Sequence, residues 1–160
     1  MRHEDTLYKE FTTTDEIYKM FTLSIKDYSL KDLFQNNINV AQDMMEMFLK
    51  KAIGEFTNCI KPLENVNFIT GNFGCHLDYT EQKIIVKLMI YEWANRITND
   101  ITQMNWSLND NDFKHFSEER NLAGKANYVN GLREQYSQDM INYGLSHTPY
   151  KDWAVGNYGL

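Results

Sequence analysis

The stretch that decides the fold is IIVKLMIYEWANRI, residues 84–97. Its apolar residues recur at intervals of three and four, the period of an α-helix, and the pattern continues to Met104. The apolar positions are Ile84, Ile85, Leu88, Met89, Trp93, Ile97, Ile101 and Met104, widened by Val86 and Ile90. Because so wide an apolar face has to be covered on several sides, we predict a helix over residues 79–103 at the centre of a helical bundle.

A second long helix is predicted over residues 40–60, where apolar side chains again recur at three and four. Asn39 and Gln42 have the spacing of a capping box at its start. Pro62 disfavours the helical conformation at Lys61, and we expect it to end the helix.

Residues 61–79 are expected to form a polar loop with turns at Gly71 and Gly74. The pattern Gly71-Asn-Phe-Gly74 lacks the lysine and the hydroxyl residue of a phosphate-binding loop, so we interpret it as a turn. Three apolar side chains of the loop are expected to fold back onto the core: Phe68, Ile69 and Phe73.

The remaining helices lie towards the two ends of the chain. A short helix is expected over residues 14–25, with Thr14 as its N-cap, and a weaker helical segment follows at 29–34. A last long helix is expected over residues 118–143, capped by Ser117. The predicted fold class is therefore all-α, a small bundle of three to four main helices.

The end of the last helix has a signal of its own. Gly144 stands where a left-handed residue commonly terminates a helix, and Leu145 is placed to fold back onto Met140. No linker rich in proline, glycine and serine divides the chain, and no repeat is present. We therefore expect a single helical domain over residues 1–145, with residues 1–39 as its peripheral N-terminal segment.

Residues 146–160 are expected to form an extended C-terminal tail. Five large apolar residues lie in it outside any amphipathic helix: Tyr150, Trp153, Val155, Tyr158 and Leu160. Tyrosine and tryptophan dominate interface hot spots, because they remove large areas from water and keep a polar group. The tail either folds back or inserts into another chain; we favour insertion, with these five residues as the partner-binding site.

Two glycines in the last predicted helix form a second candidate contact. Gly124 and Gly131 are seven residues apart, so they share a face of the helix. Glycine costs about 1 kcal/mol in a helix interior, which favours a packing role. Their partner is either the third predicted helix, 79–103, or a neighbouring subunit.

The residue types that carry catalysis or bind metals are scattered. No spacing of histidine and cysteine matches a zinc site, and Cys75 and His76, as sequence neighbours, point apart on a strand or helix. Cys59 and Cys75 are expected as free thiols in a reducing compartment. We expect no metal, no cofactor and no enzymatic activity. The histidines are His3, His76, His115 and His147.

The net charge and the short apolar runs argue against two classes of protein, those that grip nucleic acid and those that span a membrane. The chain carries 22 acidic and 16 basic residues, a net charge of −6, which argues against a protein that grips nucleic acid through clustered lysine and arginine. The longest apolar run, residues 84–90, is interrupted by Lys87 and is far shorter than the ~20 residues of a membrane span. The first residues lack the pattern of a secretory signal, so we expect synthesis in the cytoplasm.

The order of motifs over roughly residues 40–144 resembles the small helical head-to-tail connector, or neck, proteins of tailed bacteriophages. These motifs are apolar and structural, and neither the first forty residues nor the segment after Gly144 contributes to the resemblance. They are FLKKAIGEFTNC over 48–59, then Phe73, Leu77 and Glu81, IVKLMIYEW over 85–93, Leu108, DFKHFS over 112–117, Asn121-Leu122, and a long helix ending in Tyr143-Gly144.

The resemblance implies a structural protein of the virion neck without enzymatic activity. Such proteins form a ring, typically of twelve copies, under the portal protein and extend the channel through which DNA leaves the capsid. The implied partners are the portal, neighbouring copies, the next neck or tail protein, and DNA that passes without sequence-specific binding; no membrane is involved. An acidic channel wall would repel the DNA backbone and let it slide.

A protein of another class also fits the composition. A small cytosolic helical regulator or inhibitor would bind one host protein through an adaptable surface of methionine and aromatic residues. Six of the eight methionines would contribute to it, although filling an irregular core is the more common role of methionine. They are Met20, Met44, Met45, Met47, Met89 and Met104.

Overall fold

The computed structural model describes the backbone of residues 11–107 and 115–148 and the side chains of residues 11–100 and 123–148. Within these ranges the chain forms five α-helices, one 3-10 turn at Leu63–Asn65, and only isolated β-bridges. The predicted all-α fold class is confirmed for this part of the chain. The helices are α1 (Thr14–Ser24), α2 (Tyr28–Asn36), α3 (Ile38–Glu55), α4 (Tyr79–Ser107) and α5 (His115–His147).

Helix α4 lies at the centre of the bundle, as its wide apolar face predicted. It packs against α1, α3 and α5, whereas α2 packs mainly on α3. One apolar cluster joins the helices and includes Phe21 of α1 and Phe48 of α3, whose rings lie 6.0 Å apart. The buried α4 residues of this cluster are Ile84, Ile85, Val86, Leu88 and Met89. No helix among the described residues is both long and apolar enough to cross a membrane.

The N-cap of α1 is Thr13, not Thr14. The Thr13 hydroxyl accepts a hydrogen bond from the Glu16 backbone N–H, and the Glu16 carboxylate accepts one from the Thr13 backbone N–H at 3.0 Å. Thr14 is the buried first residue of the helix. A glutamate three residues after Thr13 completes a capping box, and this reciprocal bond selects the cap.

Helix α3 differs from its prediction at both ends. Its N-cap is Asn37, whose side chain accepts from the Val40 N–H at 3.3 Å, so the predicted Asn39 cap is wrong. The helix ends at Glu55, well before Pro62, because Phe56 takes ψ 59° and leaves the helical region. The Phe56 ring is buried edge-on against Tyr143 of α5, with ring centres 5.2 Å apart.

Helix α5 is longer than predicted and contains the glycine expected to terminate it. The helix continues to His147, and Ser117 lies inside it rather than at its start. Gly144 is a helical residue; the described glycines with positive φ are Gly71 and Gly74. Leu145 is 48% exposed instead of folding back onto Met140.

The loop between α3 and α4 forms the expected turn but leaves one apolar residue outside. Phe73 is buried and Phe68 packs against the core, as predicted. Ile69 is 97% exposed, so its predicted burial is wrong. The Asn67 side-chain oxygen accepts from the N–H groups of Ile69 and Thr70, and this Asx turn holds Ile69 at the outer tip.

Helices α4 and α5 form an antiparallel pair. Tyr91 packs edge-on against Tyr136, and Lys87 forms an ion pair with Asp139. The pair contains 29 and 33 residues, about 43 and 50 Å of helix. Among the described side chains, none on α4 after Ala94 and none on α5 before Val129 is buried. The name arm is used below for α4 after Ala94 together with α5 before Tyr136; among the described side chains of that part of α5, only Val129, at 9% exposure, is buried.

Candidate partner-binding surfaces

The five apolar tail residues, Tyr150, Trp153, Val155, Tyr158 and Leu160, lie outside the described part of the chain. The structure describes the chain up to Thr148, and α5 takes in the first two residues assigned to the tail. Ser146 donates a hydrogen bond to the Tyr143 carbonyl, and the His147 ring lies 4.2 Å from the Tyr143 ring. The helical body therefore continues to His147, and the predicted tail would begin at Thr148.

The end of α5 is held by a buried carboxylate. Glu81 of α4 is fully buried, and its Oε1 accepts from the Tyr143 hydroxyl at 2.8 Å. Its Oε2 accepts from Lys61 Nζ at 2.6 Å and from the Asp78 backbone N–H at 2.8 Å. A buried charge is stable only when it is paired and hydrogen-bonded, and here a cation and two neutral donors satisfy it.

The loop before Pro62 also contacts the end of α5. The Tyr143 hydroxyl accepts from the Ile60 N–H at 3.3 Å, and the Asn58 amide donates to the Met140 carbonyl at 2.6 Å. A Cβ added to Gly144 would lie 3.0 Å from that amide nitrogen, so the glycine leaves room for it. We call these contacts of Glu81, Lys61 and Asn58 with α5 the α5 anchor.

Burial raises the pKa values of the anchor tyrosine and of the two cysteine thiols. Burial, with the hydrogen bond to Glu81 as the next cause, raises the pKa of Tyr143 well above its usual range. Burial also raises the pKa of the Cys59 and Cys75 thiols, which are both free. A thiol with a raised pKa is a poor nucleophile at neutral pH. In the described part of the chain no buried side-chain nitrogen or oxygen lacks a hydrogen-bond partner, as is usual in folded proteins.

The two glycines of α5 lie on the arm. A Cβ added to Gly124 or to Gly131 would meet no described atom within 4 Å. The described part of α4 therefore does not pack closely against these glycines. Of the two partners expected from the sequence, the neighbouring subunit remains the candidate. Tyr128 lies between the glycines and is 53% exposed.

A groove beside α2 is a surface that the sequence did not reveal. Its volume is about 440 Å³. Three apolar side chains line it, and two lysines and an exposed tyrosine stand at its edge: Ile25, Leu30 and Phe34, then Lys26, Lys31 and Tyr28. Further grooves of about 380 and 400 Å³ share lining residues with it. We call the first of these the α2 groove.

The groove is shaped by a helix that is only weakly signalled in the sequence. Asp27 caps α2 by accepting from the Leu30 N–H at 3.0 Å, and its other carboxylate oxygen accepts from Trp93 Nε1 at 2.7 Å. These two bonds fix the start of α2 against α4. An aspartate three residues before Leu30 was the local signal for this N-terminus.

Neither the described side chains nor the comparisons with known proteins point to a metal site or a family. Among the described residues, no group of three or more histidine, cysteine, aspartate or glutamate side chains is placed to hold a metal ion. Three surfaces remain candidates for partner binding. They are the α5 anchor together with the predicted tail, the glycine face of the arm, and the α2 groove. No family model matches the chain, and neither a curated protein nor a solved structure matches it.

Proposed function

We propose that the chain is a structural protein of a tailed-bacteriophage virion, a neck adaptor that forms a ring on the portal and continues the DNA exit channel. The observation that carries the proposal is the α5 anchor. It holds the end of α5 to α4 through Glu81 and Tyr143, directly before the aromatic segment 149–160. An interaction segment attached to a rigid point loses less entropy on binding than one attached to a mobile end.

The surfaces of the body support assembly into a ring. Rings close through contacts between two unlike surfaces of each copy. The chain offers unlike surfaces in the glycine face of the arm, the α2 groove and the tail. In the proposed assembly, neighbouring copies meet through such surfaces in a dodecamer, and the tail residues hold the ring to the portal or to a neighbouring copy.

The net charge fits a conduit for DNA. At −6, the chain repels a phosphate backbone instead of releasing counterions to bind it. DNA would then pass along the ring without sequence-specific contacts. The next neck or tail protein would bind the side of the ring that faces away from the portal.

The direct test is the protein content of purified particles. Mass spectrometry of virions produced in the host should detect the chain at about twelve copies for each portal ring, the number that the family resemblance implies. Electron microscopy of the same particles should place it at the neck. A chain that is abundant in infected cells but absent from particles would contradict the proposal and favour the cytosolic regulator.

The role of the tail is tested by removing it after the end of α5. Deletion of residues 149–160 spares His147 and Thr148, so the free energy of unfolding should stay within about 0.5 kcal/mol of the full chain. Binding to isolated portal rings, measured by co-sedimentation, should be lost.

A full-length chain with serine at the five apolar tail positions should also lose its binding to portal rings, since hot-spot residues carry most of the affinity. Asn157→Ser is the matched control and should bind normally. Normal assembly of the truncated chain on portals would show that the tail is not the binding segment.

A further inference from the structure

Exposed apolar side chains are concentrated at the end of the bundle where α4 begins and α5 ends. Among the described residues, five of the twelve exposed large apolar side chains lie there, and we call this end the loop face. We propose that the loop face docks on an apolar, uncharged protein surface, which in the neck is the portal ring. The proposal rests on the neck function and names the side of the body that meets the portal. The five residues are Phe11, Ile60, Ile69, Tyr79 and Leu145.

Hydrogen bonds place the segment before α1 and the start of α4 at this end. The Thr12 N–H donates to the Cys75 carbonyl, and the Phe73 N–H donates to the Thr12 carbonyl, each at 3.0 Å. The Thr12 hydroxyl accepts from the Leu77 N–H at 2.8 Å, two residues before Tyr79 begins α4. The segment before α1 therefore lies along the loop that leads into α4.

Other hydrogen bonds place the end of α5 and both halves of the loop at the same end. The Ile60 N–H donates to the Tyr143 hydroxyl at 3.3 Å, and Leu145 follows two residues later on α5. Lys61 Nζ donates to the His76 carbonyl at 2.7 Å, which joins the start of the loop to its last part. The loop face is therefore one end of the body, built from four segments of the chain.

The most exposed side chain of the loop face, Ile69, is held in a fixed position. The Asn67 side-chain oxygen accepts from the N–H groups of Ile69 at 2.9 Å and Thr70 at 3.1 Å. Phe68 packs against the core on one side of this turn, and Gly71 takes φ 68° on the other. A fixed apolar side chain loses less entropy on binding than a mobile one. A group of exposed apolar side chains marks an interaction surface.

The loop face carries few charges, which indicates the kind of partner it fits. Three of the 25 residues of segment 56–80 are charged, half the 24% of the whole chain. Lys61, the only lysine or arginine of this segment, is paired with the buried Glu81. On the exposed surface, Glu64 and Asp78 then outnumber Lys83 of the first turns of α4. Phosphate groups of DNA or lipids have no cluster of cations to bind here, whereas depletion of charge is typical of the core of a protein–protein interface.

The predicted tail starts from the same end of the body. The Thr148 N–H donates to the Leu145 carbonyl at 3.3 Å, so residues 149–160 begin at the loop face. Twelve residues extend at most about 43 Å, so a partner bound by the tail stays within that distance of Thr148. Two contacts with one partner, joined by a short segment, strengthen each other through effective concentration. The loop face is then turned towards the portal, and the arm, at the other end of α4, is turned away from it.

The test uses the full chain with a photoreactive residue, p-benzoylphenylalanine, in place of Ile69. The protein is bound to isolated portal rings and irradiated, and the cross-linked peptides are mapped by mass spectrometry. We expect cross-links between position 69 and the portal. Cross-links from position 69 only to the same chain or to another copy, or none while the chain sediments with the rings, would overturn the inference.

Leu23 supplies the matched control. It is 78% exposed near the far end of α1, and α1 starts at the loop face, where the Thr14 N–H donates to the Gly71 carbonyl at 2.9 Å. The photoreactive residue at position 23 should therefore not label the portal. Ile69→Asp should weaken co-sedimentation with portal rings about fivefold or more, as expected for loss of an interface anchor, and Leu23→Asp should leave it unchanged. Unchanged binding by Ile69→Asp would overturn the inference. Circular dichroism should show the same fold for both variants, since both positions are exposed.

The same experiment separates this inference from the neck proposal. A chain that is found at the neck of particles and labels the portal only from position 23 would keep the neck function and reverse the orientation of the body. A chain at the neck that labels the next neck protein from position 69 would likewise overturn the inference alone. A chain that is absent from particles and does not bind portal rings would contradict the neck function, and the orientation with it.

Discussion

Glu81 is the residue on which three segments of the chain depend. Its carboxylate accepts from Tyr143 of α5, from Lys61 of the loop and from the Asp78 backbone N–H at the start of α4. Because Glu81 is fully buried, removing any one donor leaves part of a charge without a partner. Such a loss costs more than the net value of the bond.

Tyr143→Phe tests this cost. The substitution keeps the buried ring but leaves Glu81 Oε1 and the Ile60 N–H without their bonds, so we expect a loss of about 1–3 kcal/mol in the free energy of unfolding. Urea denaturation followed by circular dichroism measures it. Tyr128→Phe, at a 53% exposed position of the same helix, is the matched control and should change stability by less than about 0.5 kcal/mol.

The Tyr143 hydroxyl should also make the free energy of unfolding depend on pH in the alkaline range. Its pKa is raised above 10, the usual value for tyrosine, chiefly by burial. Above pH 10 the unfolded chain loses this proton while the folded chain keeps it, so the free energy of unfolding falls as the pH rises. Denaturation across this range should show a steeper decline for the natural chain than for Tyr143→Phe. Equal slopes would contradict the assignment.

Replacing a glycine of α5 by alanine should change stability differently at Gly131 and at Gly144. Gly131→Ala places its Cβ in open space, so it should stabilise the isolated chain by about 0.5–1 kcal/mol through helix propensity. Gly144→Ala places its Cβ 3.0 Å from the Asn58 amide, and we expect the disturbed bond to Met140 to offset that gain. Thermal denaturation of the two variants compares them. A larger gain at Gly144 would show that the Asn58 bond contributes little.

At the scale of elements, α4 was predictable because its apolar stripe is set by local periodicity. The end of α3 was not, because Phe56 leaves the helix to pack against Tyr143, a residue far away in sequence. The terminator expected at Gly144 failed for a related reason: the glycine admits the Asn58 side chain from the loop. Sequence patterns show where a helix is able to end, and tertiary contacts decide where it does.

The start of α3 offers a direct comparison of two asparagines. Asn37→Ala removes the side chain that caps the helix and should cost about 1 kcal/mol. Asn39→Ala, which the sequence pattern had made the cap, changes an exposed residue within the helix and should be neutral or slightly stabilising. Urea midpoints of the two variants decide between them, and equal losses would contradict the assignment of Asn37.

At the scale of the whole molecule, the all-α class and the central place of α4 followed from the sequence, and the surfaces followed only in part. The tail residues and the arm glycines stay predictions from residue type and spacing, and the tail residues lie outside the described part of the chain. The α2 groove was not, because α2 has only nine residues and its position depends on the bond between Asp27 and Trp93. A groove between elements has no local signature when one of them is so short.

The α5 anchor also determines how the body would respond to mechanical load. A pull on the chain at Thr148 acts along α5, which lies antiparallel to α4 with contacts from Tyr143 to Tyr136 and beyond. Such a pull loads these contacts together, in shear, instead of peeling them apart one at a time. A segment attached at this point would transmit tension to the central helix without first unravelling the helix that carries it.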